Sequence, residues 1–580
     1  MKVAVIGGGP GGLVTLKTLL SRDIDAVLFE AEDKIGGTFR YRSYENAELV
    51  SSKQLTCFSD FRMPRDQGDH VTLPEYVAYL EDYCRHFDLY KHIKLSTRVI
   101  SISPNESGEG HFVTSQSNNA HEISEHFHAI AICTGLHVTP SIPSIPGIEH
   151  VPQHFHSSHY KSRTQIANKN VLVLGCGETA MDIAYEAIKA DCPQVVLAHR
   201  GGWLSFPKAL SAFRVFGKAF KGRLPIDGLI TNLFETAYVH SSIRTSHLRW
   251  FVSDFVIKRV LWFLTGTSVG CNQWVGELPP ERLGRAYVFL NKSTKAMPYI
   301  NRPWTTSRGC MSKVTEYTDP PEDASSDKII EVAPWPERIS PDGTLIFTPS
   351  PRKEYSRIKN VVVKPDVVVF CTGYTQNLTW LHPSYPLPSH ASCRNILHPS
   401  HSSLAYIGFV RPGVGAIPPI AEMQAMWWTS MLLGRAQVPQ EEEWGDYLLL
   451  AREEARVKYG VDHSAYMSTL ARDIGAAPGL WELWHAHGVH VLLTYCFGAA
   501  FTTLYRLVGP WAHSDAAQIT KGELWETIRR RGFIGNMMWG VIPMMFYGIL
   551  NGVALLVEMV GRVWRAVRGE MDAGVGSLTK

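Results

Sequence analysis

Residues 2–30 read KVAVIGGGPGGLVTLKTLLSRDIDAVLFE, and this stretch decides the fold. Lys2–Ile6 is a short β-branched run, the pattern of a strand buried on both faces of a parallel sheet. Gly7-x-Gly9-x-x-Gly12 follows at once, Leu13–Leu20 suits a helix, and Ala26–Phe29 reads as a second strand ending at Glu30. Gly7 permits a tight turn, Gly9 lets backbone approach a pyrophosphate, and Gly12 lets helix and strand pack closely. The helix opening at Pro10 and Gly11 turns its free N–H groups toward the phosphates. A carboxylate at the position of Glu30 can accept hydrogen bonds from a ribose. A lone GxGxxG is often an ordinary glycine-rich turn; strand, turn, helix, strand and acid in this order specify a dinucleotide site.

The pattern recurs. Asn170–Leu174 is a strand, Gly175-x-Gly177 follows, and Glu178 and Thr179 open a helix, with Ala180 where a third glycine would stand. Gln194–Ala198 is the next strand, and His199-Arg200 occupies the place of the acid. A carboxylate would repel a 2′-phosphate, whereas the Arg200 guanidinium can hold one in a bidentate fork. The first site is therefore expected to take FAD and the second NADPH. Two further strands end in similar turns: Ala129–Cys133 runs into Thr134-Gly135, and Asp366–Cys371 into Thr372-Gly373.

With these pieces in order, residues 1 to about 515 resemble the flavin-containing monooxygenases. Ile35-Gly-Gly-Thr-Phe39 resembles the family's segment near the flavin, which assigns Thr38 and Phe39 to that site. Cys57-Phe-Ser-Asp-Phe61, Leu404–Gln424 and Tyr505–Pro510 resemble three further family segments. Two departures stand out. In the family's F-x-G-x-x-x-H-x-x-x-aromatic segment, His156 and Tyr160 are kept, but His150 and Pro152 replace the Phe and Gly. The family's flavin-side asparagine, eight residues before Phe58, is here Val50, which offers no donor or acceptor. Asn46, Ser51 and Ser52 are the neighbours that could compensate.

The resemblance implies hydride transfer from NADPH to FAD, formation of a flavin C4a-hydroperoxide with O2, and transfer of one oxygen atom to an amine nitrogen or a sulfur of a small organic substrate. Baeyer–Villiger oxygenation of a ketone and a non-oxygenating NADPH–flavin oxidoreductase or oxidase are the alternatives. The cofactor carries the difficult chemistry, so no catalytic side chain and no metal site is expected. A disulfide reductase would want a redox CxxC, and the ten cysteines contain none. A net charge of +3 gives no case for nucleic-acid binding.

The expected architecture is α/β: two Rossmann-like dinucleotide-binding domains and a C-terminal membrane helix. A split FAD domain occupies 1–162 and 335–515, an NADPH domain 163–334, and an anchor with its tail 516–580. Within the insert, Phe251–Leu264 is amphipathic and reads as an interdomain helix or a lipid-binding one, and Asp319–Asp327 as a returning loop. Phe533–Val557 holds no charged residue, is long enough to cross a bilayer, and carries Pro543 as a candidate kink. Arginines flank both ends (529–531; 562, 565, 568), so charge does not decide between spanning and half-immersed topologies. The chain opens on a structural strand rather than a signal peptide. Membrane lipid is thus an expected partner, with the catalytic domains facing the cytosol, at the endoplasmic reticulum in a eukaryote. Homo-oligomerisation is left open.

Overall fold

A computed structural model describes residues 1–105, 108–117, 121–205, 327–436, 447–449 and 460–567, with parts of 208–303 and 315–317. Most of Phe251–Leu264 and nearly all of Asp319–Asp327 fall outside the described residues.

Two five-stranded parallel sheets dominate. The first is ordered Leu404–Tyr406, Ala129–Ile132, Lys2–Ile6, Asp25–Phe29, Ile93–Lys94. The second is ordered Glu331–Pro334, Val195–His199, Val171–Leu174, Val367–Phe370, Gln153–His156. Each strand that precedes a glycine turn lies at the centre, between the strand ending in the acid or arginine and the strand entering a Cys-Thr-Gly turn.

Alternation along the central strands explains why Val3–Ile6 and Val171–Leu174 are apolar at every position. Val3 and Val5 pack with Leu13 and Leu16 of the helix Pro10–Leu20 and with the buried helix Ile417–Leu432. Ala4 and Ile6 face the other way, toward Val113 and Phe127 of a three-stranded antiparallel sheet spanning 97–127. In the second sheet, Val171 and Val173 pack with Met181 and Ala184 of the helix Glu178–Lys189, while Leu172 and Leu174 meet Leu345 and Phe347. A strand between two covered faces needs hydrophobic residues at every position.

The second sheet reaches beyond the expected 163–334 span on both sides. It takes Gln153–His156 before the glycine turn and Val367–Phe370 after the insert. The returning strand Val367–Phe370 pairs beside Val171–Leu174 because the Cys371 turn must close against Gly175.

Among the described residues one helix, Gly532–Ala566, is long and apolar enough to cross a membrane, and it is hardly buried. It is not a free rod. A π-turn over Met537–Val541 comes just before Pro543, and Gly540 sits against the Phe497 ring where any Cβ would clash. Asn551 accepts from the His240 N–H (2.8 Å) and donates to the Tyr238 carbonyl (2.7 Å), and His240 Nε2 meets Glu558 at 3.2 Å. The asparagine that interrupts the apolar run thus docks the helix on the insert.

Candidate cofactor sites

The glycine turns are steric solutions that can be read atom by atom. Gly7 has φ +111, and a Cβ there would lie 2.9 Å from the Cys133 carbonyl oxygen. Gly175 has φ +125 and is pressed in the same way on the Cys371 carbonyl. Gly12 lies so close to the Gly7 carbonyl that a Cβ would sit inside it, whereas Ala180 at the counterpart position is accommodated and fully buried. Gly9 is different: a Cβ there would meet only Gly37 Cα, at 3.9 Å. No neighbour forces Gly9 to be glycine, so the open space above it is the cradle that a phosphate would fill.

Gly9 and Gly177 are the N-caps of the two helices, with φ/ψ of −76/178 and −78/179, and no side chain caps either one. The first-turn N–H groups, after Pro10 in one helix and around Glu178 and Thr179 in the other, are therefore oriented donors without a side-chain acceptor at the cap, and they carry the positive end of the helix dipole. A Cβ at Gly11 would lie 3.7 Å from Ala421 Cβ and from the Ile407 carbonyl oxygen, so Gly11 belongs to the helix seat rather than to the cradle surface. Thr38 and Phe39 open a short helix after Gly37, with Phe39 edge-on to Tyr76. The Thr134-Gly135 and Thr372-Gly373 turns have φ of +79 and +83 at their glycines, with open space beside both.

Glu30 does more than wait for a ribose. It is buried, and its carboxylate accepts from the backbone N–H groups of Gly8 (2.5 Å) and Glu32 (2.8 Å). Burial nevertheless raises its pKa, outweighing those hydrogen bonds. At the second site the strand register puts His199, not Arg200, opposite Glu30's position: Gly7 follows Ile6 beside Phe29, and Gly175 follows Leu174 beside Ala198. His199 turns inward, accepting from Gly202 N–H at Nδ1 (3.0 Å) and facing buried Glu354 at Nε2 (3.1 Å). That leaves Arg200 exposed, with its guanidinium 4.2 Å above the Trp335 ring. His199 pairs with Pro334 across the sheet, so the next residues, Arg200 and Trp335, emerge side by side. Sequence reasoning missed Trp335; its signal would have been the aromatic directly after a strand that joins this sheet.

The structure also shows where the neighbours of Val50 point. The Asn46 amide donates to Glu186 (2.8 Å), which also receives the Arg163 fork (2.7 and 3.0 Å). Ser51 Oγ donates to the Gly415 carbonyl (3.3 Å), and the Ser52 N–H donates to Asp227 (2.6 Å). His156, kept from the family segment, is buried: Nδ1 accepts from Ser158 N–H (3.1 Å) and Nε2 faces the Gly373 carbonyl (3.0 Å), holding that turn against the edge of the second sheet. Tyr160 is buried edge-on to Tyr44, whose hydroxyl donates to Asp182 (2.6 Å). No cluster of three metal-ligating side chains occurs among the described residues.

Two uncapped helix N-termini on two parallel sheets, one beside a buried acid and one beside an exposed arginine, form two cradles of the kind a dinucleotide pyrophosphate occupies. Residues 1–253 and 356–534 match the flavin-binding monooxygenase-like family, and the chain belongs to it. It is 41% identical to monooxygenase ptmN of Penicillium ochrochloron over 98% of this chain and 97% of that protein. It is 28% identical to dimethylaniline monooxygenase [N-oxide-forming] 2 of Pan troglodytes over 88% and 89%. The open crystal structure of cyclohexanone monooxygenase shares the fold, with a TM-score of 0.53 at 15% identity over 81% of this chain and 97% of that one. The protein is a flavin-dependent monooxygenase using FAD and NADPH.

Proposed function

We propose that this enzyme oxygenates a soft nitrogen or sulfur in a small organic substrate at the expense of NADPH and O2. The observation that carries the reading is the pair of uncapped glycine N-caps, Gly9 and Gly177, each two residues after a glycine, Gly7 or Gly175, that packs on a Cys-Thr-Gly turn. FAD is held by the 7–12 turn, with Glu30 on a ribose, Thr38, Phe39 and Val50 alongside, and the Thr134-Gly135 and Gly373 turns closing the cradle. NADPH is held by Gly175, Gly177, Glu178, Thr179 and Ala180, with Arg200 over Trp335 receiving the 2′-phosphate. When bound, the flavin supplies hydride acceptance and O2 activation; the chain's residues bind, orient and exclude water, and none acts as a nucleophile. The N-oxide-forming relative supports a heteroatom substrate.

The test is 18O2 turnover with a tertiary amine, a thioether and a cyclic ketone. Labelled N- or S-oxide is expected. Labelled lactone alone would assign Baeyer–Villiger chemistry, and NADPH oxidation with only hydrogen peroxide released would make the protein an oxidase.

The same reading puts Gly532–Ala566 at a bilayer, with the catalytic body on the cytosolic side and the endoplasmic reticulum as the membrane in a eukaryotic cell. Its support is the row of exposed apolar side chains along the helix, from Phe533 (82% exposed) to Trp564.

A further inference from the structure

Two of the segments that resemble the family, Cys57–Phe61 and Tyr505–Pro510, lie outside the glycine turns of the two cradles. They meet instead at a cavity of about 440 Å³ by the C-terminal end of the helix Pro10–Leu20. At 1.5 Å rise per residue this is about 16 Å from the phosphate end of that helix. Lys17, Arg22, Arg506 and His513 line it, against a single carboxylate, Asp60. Phe87, Leu89 and Trp511 supply apolar wall.

The charges do not balance. Asp60 Oδ2 holds both Lys17 and Arg506, the latter at 3.3 Å. Arg22 lies 4.1 Å over the Trp511 ring and donates to the Pro510 carbonyl, and among the described residues no carboxylate pairs with it. Burial first, and then the neighbouring Arg435 and Arg506, push the Arg22 guanidinium below its ordinary pKa. Glu422, behind Ser59, gives Arg506 a second carboxylate at 3.6 Å, so among the lining cations Arg22 is the one whose charge is left over; burial and Asp60 push the Glu422 carboxyl up while Arg506 opposes them. At the same time Asp60 Oδ1 is buried and receives no hydrogen bond, although its side chain is 2% exposed. The cavity therefore lacks two things at once: negative charge for Arg22 and a donor for Asp60.

We propose that this cavity is a second ligand site, for a small oxyanion that also carries an O–H, as a monoanionic phosphate or phosphomonoester does, with any organic part against Phe87 and Trp511. The oxygens would take the Arg22 guanidinium and the O–H would satisfy Asp60. Occupancy would tie the flavin-binding helix to the 505–513 segment.

The test uses the full-length holoenzyme saturated with FAD and NADP+, so that both cofactor phosphate sites are filled. Thermal unfolding is followed by tryptophan fluorescence at pH 5.5, where a phosphomonoester with a second pKa of about 6 is mostly the O–H-bearing monoanion, in chloride, sulfate, phosphate and phenyl phosphate at matched ionic strength. Phosphate and phenyl phosphate are expected to raise the midpoint above chloride by roughly 2–4 °C. Sulfate, which has no O–H at this pH, is expected to raise it less. Arg22→Gln should abolish the phosphate increment while keeping flavin content, and His513→Gln should reduce it. Equal midpoints in all four salts, or an undiminished increment in Arg22→Gln, overturn the proposal. An increment that sulfate matches shows general anion screening and also overturns it. Because the readout is stability, the result is independent of which substrate the enzyme oxygenates.

Discussion

At the residue scale the glycines separate into two kinds with different consequences. A Cβ at Gly12 collides with the Gly7 backbone, so Gly12→Ala should lower the unfolding midpoint and flavin content together. Gly9 has open space, so Gly9→Val should fold with a near-normal midpoint yet purify colourless, because the branched side chain occupies the pyrophosphate's approach. A yellow Gly9→Val protein with full flavin would remove the site from Gly9. Glu30→Ala is not a mild change, since it removes a ribose acceptor and also strands the N–H groups of Gly8 and Glu32. Arg200→Ala should cost roughly 1–3 kcal/mol of NADPH binding, the range for a charge-assisted hydrogen bond, with little change for NADH. Stopped-flow flavin reduction at varied coenzyme gives both numbers, and an unchanged NADPH preference would move the 2′-phosphate elsewhere. Val50→Asn returns a donor near the flavin, worth roughly 1–3 kcal/mol in a dry site. With Asn46 tied to Glu186 and Ser51 to Gly415, no compensation comes from those two, so hydrogen peroxide released per NADPH should fall. Unchanged peroxide release in Val50→Asn, with flavin content intact, would show that the position does not govern coupling.

At the scale of elements, the parallel strands were legible because burial on both faces leaves continuous runs such as VAVI and VLVL. The glycine turns were legible because backbone contacts such as Gly7 on Cys133 admit no side chain. What stayed hidden depends on pairing between distant segments. Nothing in the run 331–335 announces a strand that brings Trp335 beneath Arg200, and nothing in Asn551 announces its two bonds to the insert. Those bonds shape the tail experiment. Truncation after Gly532 removes the two Asn551 bonds together with the apolar helix, but keeps Arg530 forked onto Asp69 and Arg531 on the carbonyls of Phe497 and Gly228. The truncated enzyme should keep its flavin and stay in the supernatant when membranes are sedimented. Pelleting that survives a high-salt wash would place the main anchor in the insert.

At the scale of the molecule, the antiparallel sheet over 97–127 is fastened to the returning segment by His111, whose ring nitrogens meet Tyr385 Oη (2.5 Å) and Ser403 Oγ (2.9 Å). Burial, then His401 and His126, lowers its pKa to about 4. A histidine held neutral in the fold takes up its proton more readily when unfolded, so its contribution is complete above the unfolded value near 6.5 and is lost as pH falls toward 4. Across that window the loss is about 3 kcal/mol, from 1.36 kcal/mol per pKa unit. Denaturant titrations from pH 7 to 4 should show wild type losing more stability than His111→Gln; parallel curves would show that this histidine does not set the acid limit.

The interleaving of the two sheets also bears on how the chain is made. The second sheet takes strands from both sides of the insert and is incomplete until Phe370 has left the ribosome, and the first lacks an edge until Tyr406 has. At 5–20 residues per second, the opening strand Lys2–Ile6 waits roughly 20–80 s for its last sheet-mate. During that interval an apolar run and a glycine turn shaped for a cofactor stand in solvent. Flavin supply and chaperone capacity during translation, as well as the stability of the finished fold, should therefore set the yield of active enzyme.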